Sequence, residues 1–156
     1  MNSRSDDIQN LEFVTLRRSI GSTIFFEYGN PRYQLVTPKS RAAFLLPKGQ
    51  LSIAIWSSDW SFSALGGEIT NSDEIDDQIA HEVAKTYFVG QTAPPLKLTP
   101  SFPAVIEFGN GIVLEVNADP ELVADDPDGA EISVLYADGS EDCLSSVRGF
   151  FSVEPR

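Results

Sequence analysis

The sequence predicts an α+β fold, a mainly antiparallel β-sheet of hairpins packed with one long helix at about residues 71–89. Three observations predict it. Short β-branched and aromatic runs alternate with turn residues along most of the chain. Residues 71–90, "NSDEIDDQIAHEVAKTYFVG", carry the spacing of a helix. Gly109-Asn110-Gly111 separates two apolar runs, which is a hairpin signal.

Residues 11–16 ("LEFVTL") and 20–28 are rich in strand formers, and "YQLV" at 33–36 continues beyond the turn residues Gly29-Asn30-Pro31-Arg32. These predict a first hairpin across Gly29. "LSIAIW" (51–56) and "WSFSAL" (60–65) flank Ser57-Ser58-Asp59 and predict a second. In the helix, Asn71 is the expected cap and Glu74 completes a capping box, with Asp73, Asp76 and Asp77 favouring the positive N-terminal end. Ile75, Ile79, Val83 and Tyr87 recur every four residues, Ala80, Ala84 and Phe88 widen the stripe, and Gly90 is the expected stop.

Between 104–108 and 112–116, a three-residue loop sets Phe108 opposite Ile112 and Ile106 opposite Leu114, all apolar on one face. A two-residue Asn-Gly loop would oppose Ile106 to Glu115 and Glu107 to Leu114 instead. The three-residue register is therefore predicted. Strands follow at 131–136, ended by Asp138-Gly139, and at 148–153. The stretches 26–30 ("FEYGN") and 106–110 ("IEFGN") share a pattern that is read as shared hairpin chemistry rather than a duplicated half.

At 156 residues the chain fits one domain, taken as 11–156 behind a polar leader at 1–10, and 42% hydrophobic content supports a packed core. The net charge of -12 argues against nucleic acid or an anionic membrane as partner, because both bind through Lys and Arg. A basic protein suits it better. Acidity is concentrated late: residues 61–156 hold eighteen acids and four basic residues. The leader has no apolar signal region and no apolar run is long enough to span a bilayer, so a cytoplasmic protein is expected.

Catalytic signatures are absent, and no cofactor or metal is expected. The single cysteine, Cys143, excludes an internal disulfide, and Glu141 and Asp142 beside it should suppress its thiolate. His81, the only histidine, lies about 200° around the helix from Ile79, on the solvent side. Asp126-x-Asp128-Gly129 has the core of a calcium loop, but Ala124 and Leu135 stand where two key oxygen ligands belong. Trp56 and Trp60, with Phe62, read either as an aromatic platform or as sheet core.

From Gly111 to Val147 there are ten acids and no Lys or Arg. The candidate partner-binding residues are Asp125, Asp126 and Asp128, then Asp119, Glu121 and Asp138. They form a docking face if the 118–131 loop and the turn at 138–142 meet at one sheet edge. Inert solubilisation is the alternative.

The capped helix followed by Gly, the hairpin "PAVIEFGNGIVLEV", the acidic loop and "EISVLYADGS" together resemble immunity proteins of bacterial polymorphic toxin systems, over roughly residues 50–145. The resemblance implies a cytoplasmic, non-enzymatic protein that neutralises a cognate toxin domain by stoichiometric binding. A carboxylate-based enzyme and a small-ligand or sugar-binding module are the competing classes.

Overall fold

A computed structural model describes residues 10–30, 32–36, 44–124, 126 and 129–155. Its strands are β1 (Phe13–Arg18), β2 (Ile24–Tyr28), β3 (Arg32–Val36), β4 (Phe44–Lys48), β5 (Leu51–Ile55), β6 (Trp60–Ala64), β7 (Gly67–Asn71), β8 (Ala104–Glu107), β9 (Ile112–Val116), β10 (Ile132–Tyr136), β11 (Glu141–Ser145) and β12 (Gly149–Val153). They form a six-stranded sheet, β1-β2-β5-β10-β11-β12, a four-stranded sheet, β7-β6-β9-β8, and the pair β3-β4. Every pairing is antiparallel. The fold is thus α+β and mainly antiparallel, with two larger sheets sharing one core instead of one sheet under a helix.

Paired residues share a face, so the register identifies what each sheet buries. Phe26, Ile53 and Val134 lie in one row of the six-stranded sheet, and Ile24, Ile55, Ile132 and Leu144 in another. Phe62, Leu114 and Ile106 form the matching row of the four-stranded sheet. All of these side chains are buried in a single apolar cluster. At its centre the rings of Phe26, Phe62, Phe88 and Phe108 lie in mutual contact, with all six centroid pairs between 5.0 and 6.1 Å. One ring comes from each sheet, one from the helical segment and one from the Gly109 turn, so this contact locks four distant parts of the chain together.

The hairpin over Gly109-Asn110-Gly111 has the expected register: Ile106 pairs with Leu114, and the Phe108 amide donates to the Ile112 carbonyl at 2.9 Å. Asn110 (φ 63°) and Gly111 (φ 75°) supply the left-handed geometry that the short loop requires. The other two expected hairpins are not hairpins. β2 pairs with β1 and β5, while β3 pairs with β4. β5 and β6 lie in different sheets, so 56–59 is a crossover, held by the Ser57 hydroxyl donating to the Asn117 carbonyl at 2.9 Å. Adjacency in sequence does not set these pairings: β5 pairs with β2 and β10, and β6 with β7 and β9. The likeness of 26–30 to 106–110 therefore does not reflect shared hairpin chemistry.

The long helix is also shorter than expected. Residues 67–71 form β7, which sets buried Thr70 opposite Phe62. Asn71 Oδ1 accepts from the amides of Asp73 (2.9 Å) and Glu74 (3.0 Å), closing a turn, and the cap is Asp76, whose Oδ1 accepts from the Ile79 amide at 2.8 Å. Helix α1 is Asp77–Val83, continued by a π-helical turn, Ala84–Phe88, before Gly90 at φ 87°. The apolar stripe itself is confirmed: Ala80, Val83, Ala84 and Phe88 are buried and His81 is exposed.

Three strands were not expected from the sequence: β4, β7, which ends at the residue where the long helix was expected to begin, and β11, "EDCLS", which overlaps the expected 138–142 turn. Asp142 is buried there because the Tyr136 hydroxyl (2.8 Å) and the Ser152 hydroxyl (2.7 Å) both donate to its carboxylate.

Candidate acidic-loop site

The acidic tract connects β9 of one sheet to β10 of the other, and its conformation is fixed by acids that point inward. Glu131 is fully buried. Its Oε2 accepts from the Asp119 amide and its Oε1 from the Ser146 amide, both at 3.0 Å. One carboxylate thereby ties the start of the loop to the β11–β12 turn. Its own carbonyl accepts from the Trp56 amide at 2.9 Å, joining the crossover to the same point. Charge-assisted bonds of this kind offset the cost of removing a carboxylate from water.

The candidate residues then separate into distinct roles. Asp119 is half-buried, and its Oδ2 accepts from both the amide and the hydroxyl of Ser58 at 2.8 Å, so it anchors the loop. A single helical turn, Pro120–Val123, follows and buries Val123. Glu121 and Asp126 are exposed. Asp125 and Asp128 lie outside the described residues. Asp138 is exposed in the β10–β11 turn, and its Oδ1 accepts from the Ser140 amide (2.9 Å) and hydroxyl (2.6 Å).

The loop and the 138–142 segment meet through Asp126 and Glu141, which line one cavity, while Asp138 stands in the turn after β10 and is not among the lining residues. Glu115 faces outward from the four-stranded sheet, and Asp142 is internal. The tract is one loop field plus scattered acids.

What the loop does form is a cavity. Leu122, Asp126, Gly129 and Ala130 fold over the face of the six-stranded sheet that carries Trp56, Ser133 and Glu141, leaving a half-open space of about 220 Å³. Trp56 is half-buried, its ring set edge-on to Phe25 at 5.2 Å and its Nε1 donating to Ser133 Oγ at 3.0 Å. Trp60 lies elsewhere, buried, with Nε1 donating to the Ser22 carbonyl at 2.9 Å. The two tryptophans do not share a platform. Alternation along the chain could not separate them, because Trp56 belongs to the crossover and its neighbours come from β2 and β10.

Cys143 is buried beside Ser133, with Sγ and Oγ 3.6 Å apart. Burial, opposed by the Ser133 hydrogen bond and assisted by the charges of Glu141 and Asp142, pushes its thiol up to about 11. It is a neutral packing residue at pH 7, and burial contributes more than the adjacent charges that the sequence pointed to.

Among the described residues, no group of three or more His, Cys, Asp or Glu could hold a metal ion, and no helix is long and apolar enough to cross a membrane. Comparison with family models, curated proteins and solved structures finds no match.

Proposed function

We propose that the chain is an immunity protein that neutralises a cognate bacterial toxin domain in the cytoplasm by stoichiometric binding, without catalysis, through the acidic loop and the cavity beneath it. The observation carrying this reading is the cavity lining: the carboxylates of Asp126 and Glu141 and the indole of Trp56, with no Lys or Arg among the described lining residues. Two carboxylates and an aromatic wall suit a guanidinium or ammonium group, which gains from charge and from ring contact together. Leu122, 37% exposed at the rim, supplies apolar area around it.

On this reading an Arg or Lys of the toxin enters the cavity, while Glu121 and Asp126, with Asp125 and Asp128, steer the approach. Asp119 positions the loop, and Asp138 is not among the residues that line the cavity. Basic groups that a toxin uses to hold a polyanionic substrate would be occupied by the complex. Co-expression with the product of the gene immediately upstream tests it: growth rescue and co-purification support the proposal, and neither occurring defeats it.

The same cavity favours a second reading as a small-ligand or sugar-binding module, now resting on Trp56 alone. Quenching of Trp56 fluorescence by a sugar or a small cation, without any protein complex, would select it. Turnover of that ligand would instead select the enzyme built on Asp126 and Glu141.

A further inference from the structure

The apolar stripe of α1 is wider than the core covers. Ile79, Val83 and Tyr87 recur at four-residue spacing as one ridge, and Gln78, Glu82 and Thr86 form the ridge beside it. Val83 is buried, whereas Ile79 and Tyr87 are half-buried against the core, as is Ile69 of β7. The position of the helix explains this. α1 packs on β1 of the six-stranded sheet, while β7, at an edge of the four-stranded sheet, pairs with β6 alone. A furrow of about 270 Å³ is left between β7 and the helix, walled by Ile69 and both ridges.

Two further observations point to a ligand. α1 runs directly into the π-helical turn Ala84–Phe88, where the Val89 amide donates to the Ala84 carbonyl at 3.2 Å. Turns of this kind are rare and lie mostly at functional sites, and this one carries Thr86 and Tyr87 into the wall of the furrow. Glu82 is exposed in the same wall, and among the described residues nothing pairs with its carboxylate. It is the one charged group among the described lining residues.

We infer that the furrow binds a short aliphatic primary ammonium, with its methylene stem on Ile69, Ile79 and Val83 and its head group at Glu82. Each part of the lining suits one part of that ligand. The aliphatic wall gains by removing methylenes from water. An ammonium has three donors and no acceptor, and Glu82, Gln78 and Thr86 supply oxygen acceptors along one ridge. The Tyr87 ring offers the cation an aromatic contact. An alkyl carboxylate is repelled by Glu82, and an alcohol gains nothing from charge. A furrow smaller than a drug-sized pocket takes one short chain. A free alkylamine and a lysine side chain share this chemistry. The lining has no residue in common with the acidic cavity, so the inference stands independently of the proposed function.

Titration of the full chain with hexylammonium, hexan-1-ol and hexanoate, followed by methyl NMR, tests it. Hexylammonium should give saturable shifts at Ile69, Ile79 and Val83 and bind about tenfold more tightly than the alcohol, from one exposed ion pair and one ring contact together, with hexanoate weakest. Glu82→Gln, at an exposed position with no contact to lose, should reduce hexylammonium to the affinity of the alcohol. Glu115→Gln, exposed on the four-stranded sheet, should leave it unchanged. N-acetyl-lysine amide shifting the same three residues as tightly as hexylammonium assigns the site to a lysine side chain, and binding of hexylammonium alone assigns it to a free alkylamine. No saturable shift at these residues overturns the inference, as does equal affinity for hexylammonium and hexanoate, or an equal loss in the two Gln variants.

Discussion

Replacing Glu131 by Gln removes one acceptor while nearly preserving volume, and the geometry says what that costs. The two carboxylate oxygens serve different amides, those of Asp119 and Ser146, each at 3.0 Å. An amide side chain can accept one of them and must turn an NH₂ donor towards the other. With charge-assisted bonds contributing roughly 1.5–3 kcal/mol each, and partial relief from no longer burying a charge, the expected loss is about 2–4 kcal/mol. Urea unfolding measures the loss, and amide exchange at Asp119 and Ser146 shows which contact fails. An unfolding free energy within about 0.5 kcal/mol of wild type, with both amides still protected, would refute the argument that this carboxylate ties the loop to the β11–β12 turn.

Phe88→Ala should cost about 3–5 kcal/mol in urea unfolding, because four aromatic rings from four parts of the chain pack against it. Asp76→Ala should remove about 1 kcal/mol and the protection of the Ile79 amide, whereas Asn71→Ala should leave that amide protected; the reverse result would restore the longer helix. The Tyr28 hydroxyl is buried with no hydrogen-bond partner among the described residues and burial raises its pKa, so Tyr28→Phe should unfold at higher temperature than wild type. Alkaline pH should destabilise the fold. The Cys143 thiol is held up to about 11 when folded against 9.0 otherwise, so its contribution is complete below pH 9.0 and is lost as pH rises towards 11, with Tyr28 adding to the loss at still higher pH. Cys143→Ala should flatten that part of a stability-versus-pH curve, and an unchanged slope would contradict the assignment.

The sequence was most legible where local and tertiary preferences agreed. At 104–116, turn chemistry and face alternation selected the same register, and the structure has it. Fold class followed from the same kind of signal. The helix start was misplaced because Asn71 and Asp76 both offer a capping carboxamide or carboxylate before an apolar stripe, and only the pairing of Thr70 with Phe62 decides between them. The first two hairpins failed for a related reason: sequence adjacency cannot reveal that β5 is more fully buried between β2 and β10. In the acidic tract, composition identified the loop but treated its acids alike. Glu131 and Asp142 are internal acceptors, Asp119 is an anchor, and Asp126 with Glu141 lines a cavity. No spacing rule separates these, because Glu141 reaches the loop only through the β10–β11 pairing.

The most direct test is the affinity of the upstream gene's toxin domain for this chain, measured by titration calorimetry at low and high ionic strength with wild type and with Asp126→Lys combined with Glu141→Lys. The account predicts tight stoichiometric binding by wild type that weakens with salt, and a large loss in the double variant that is greatest at low salt. Equal affinities for the two proteins at both ionic strengths would contradict it.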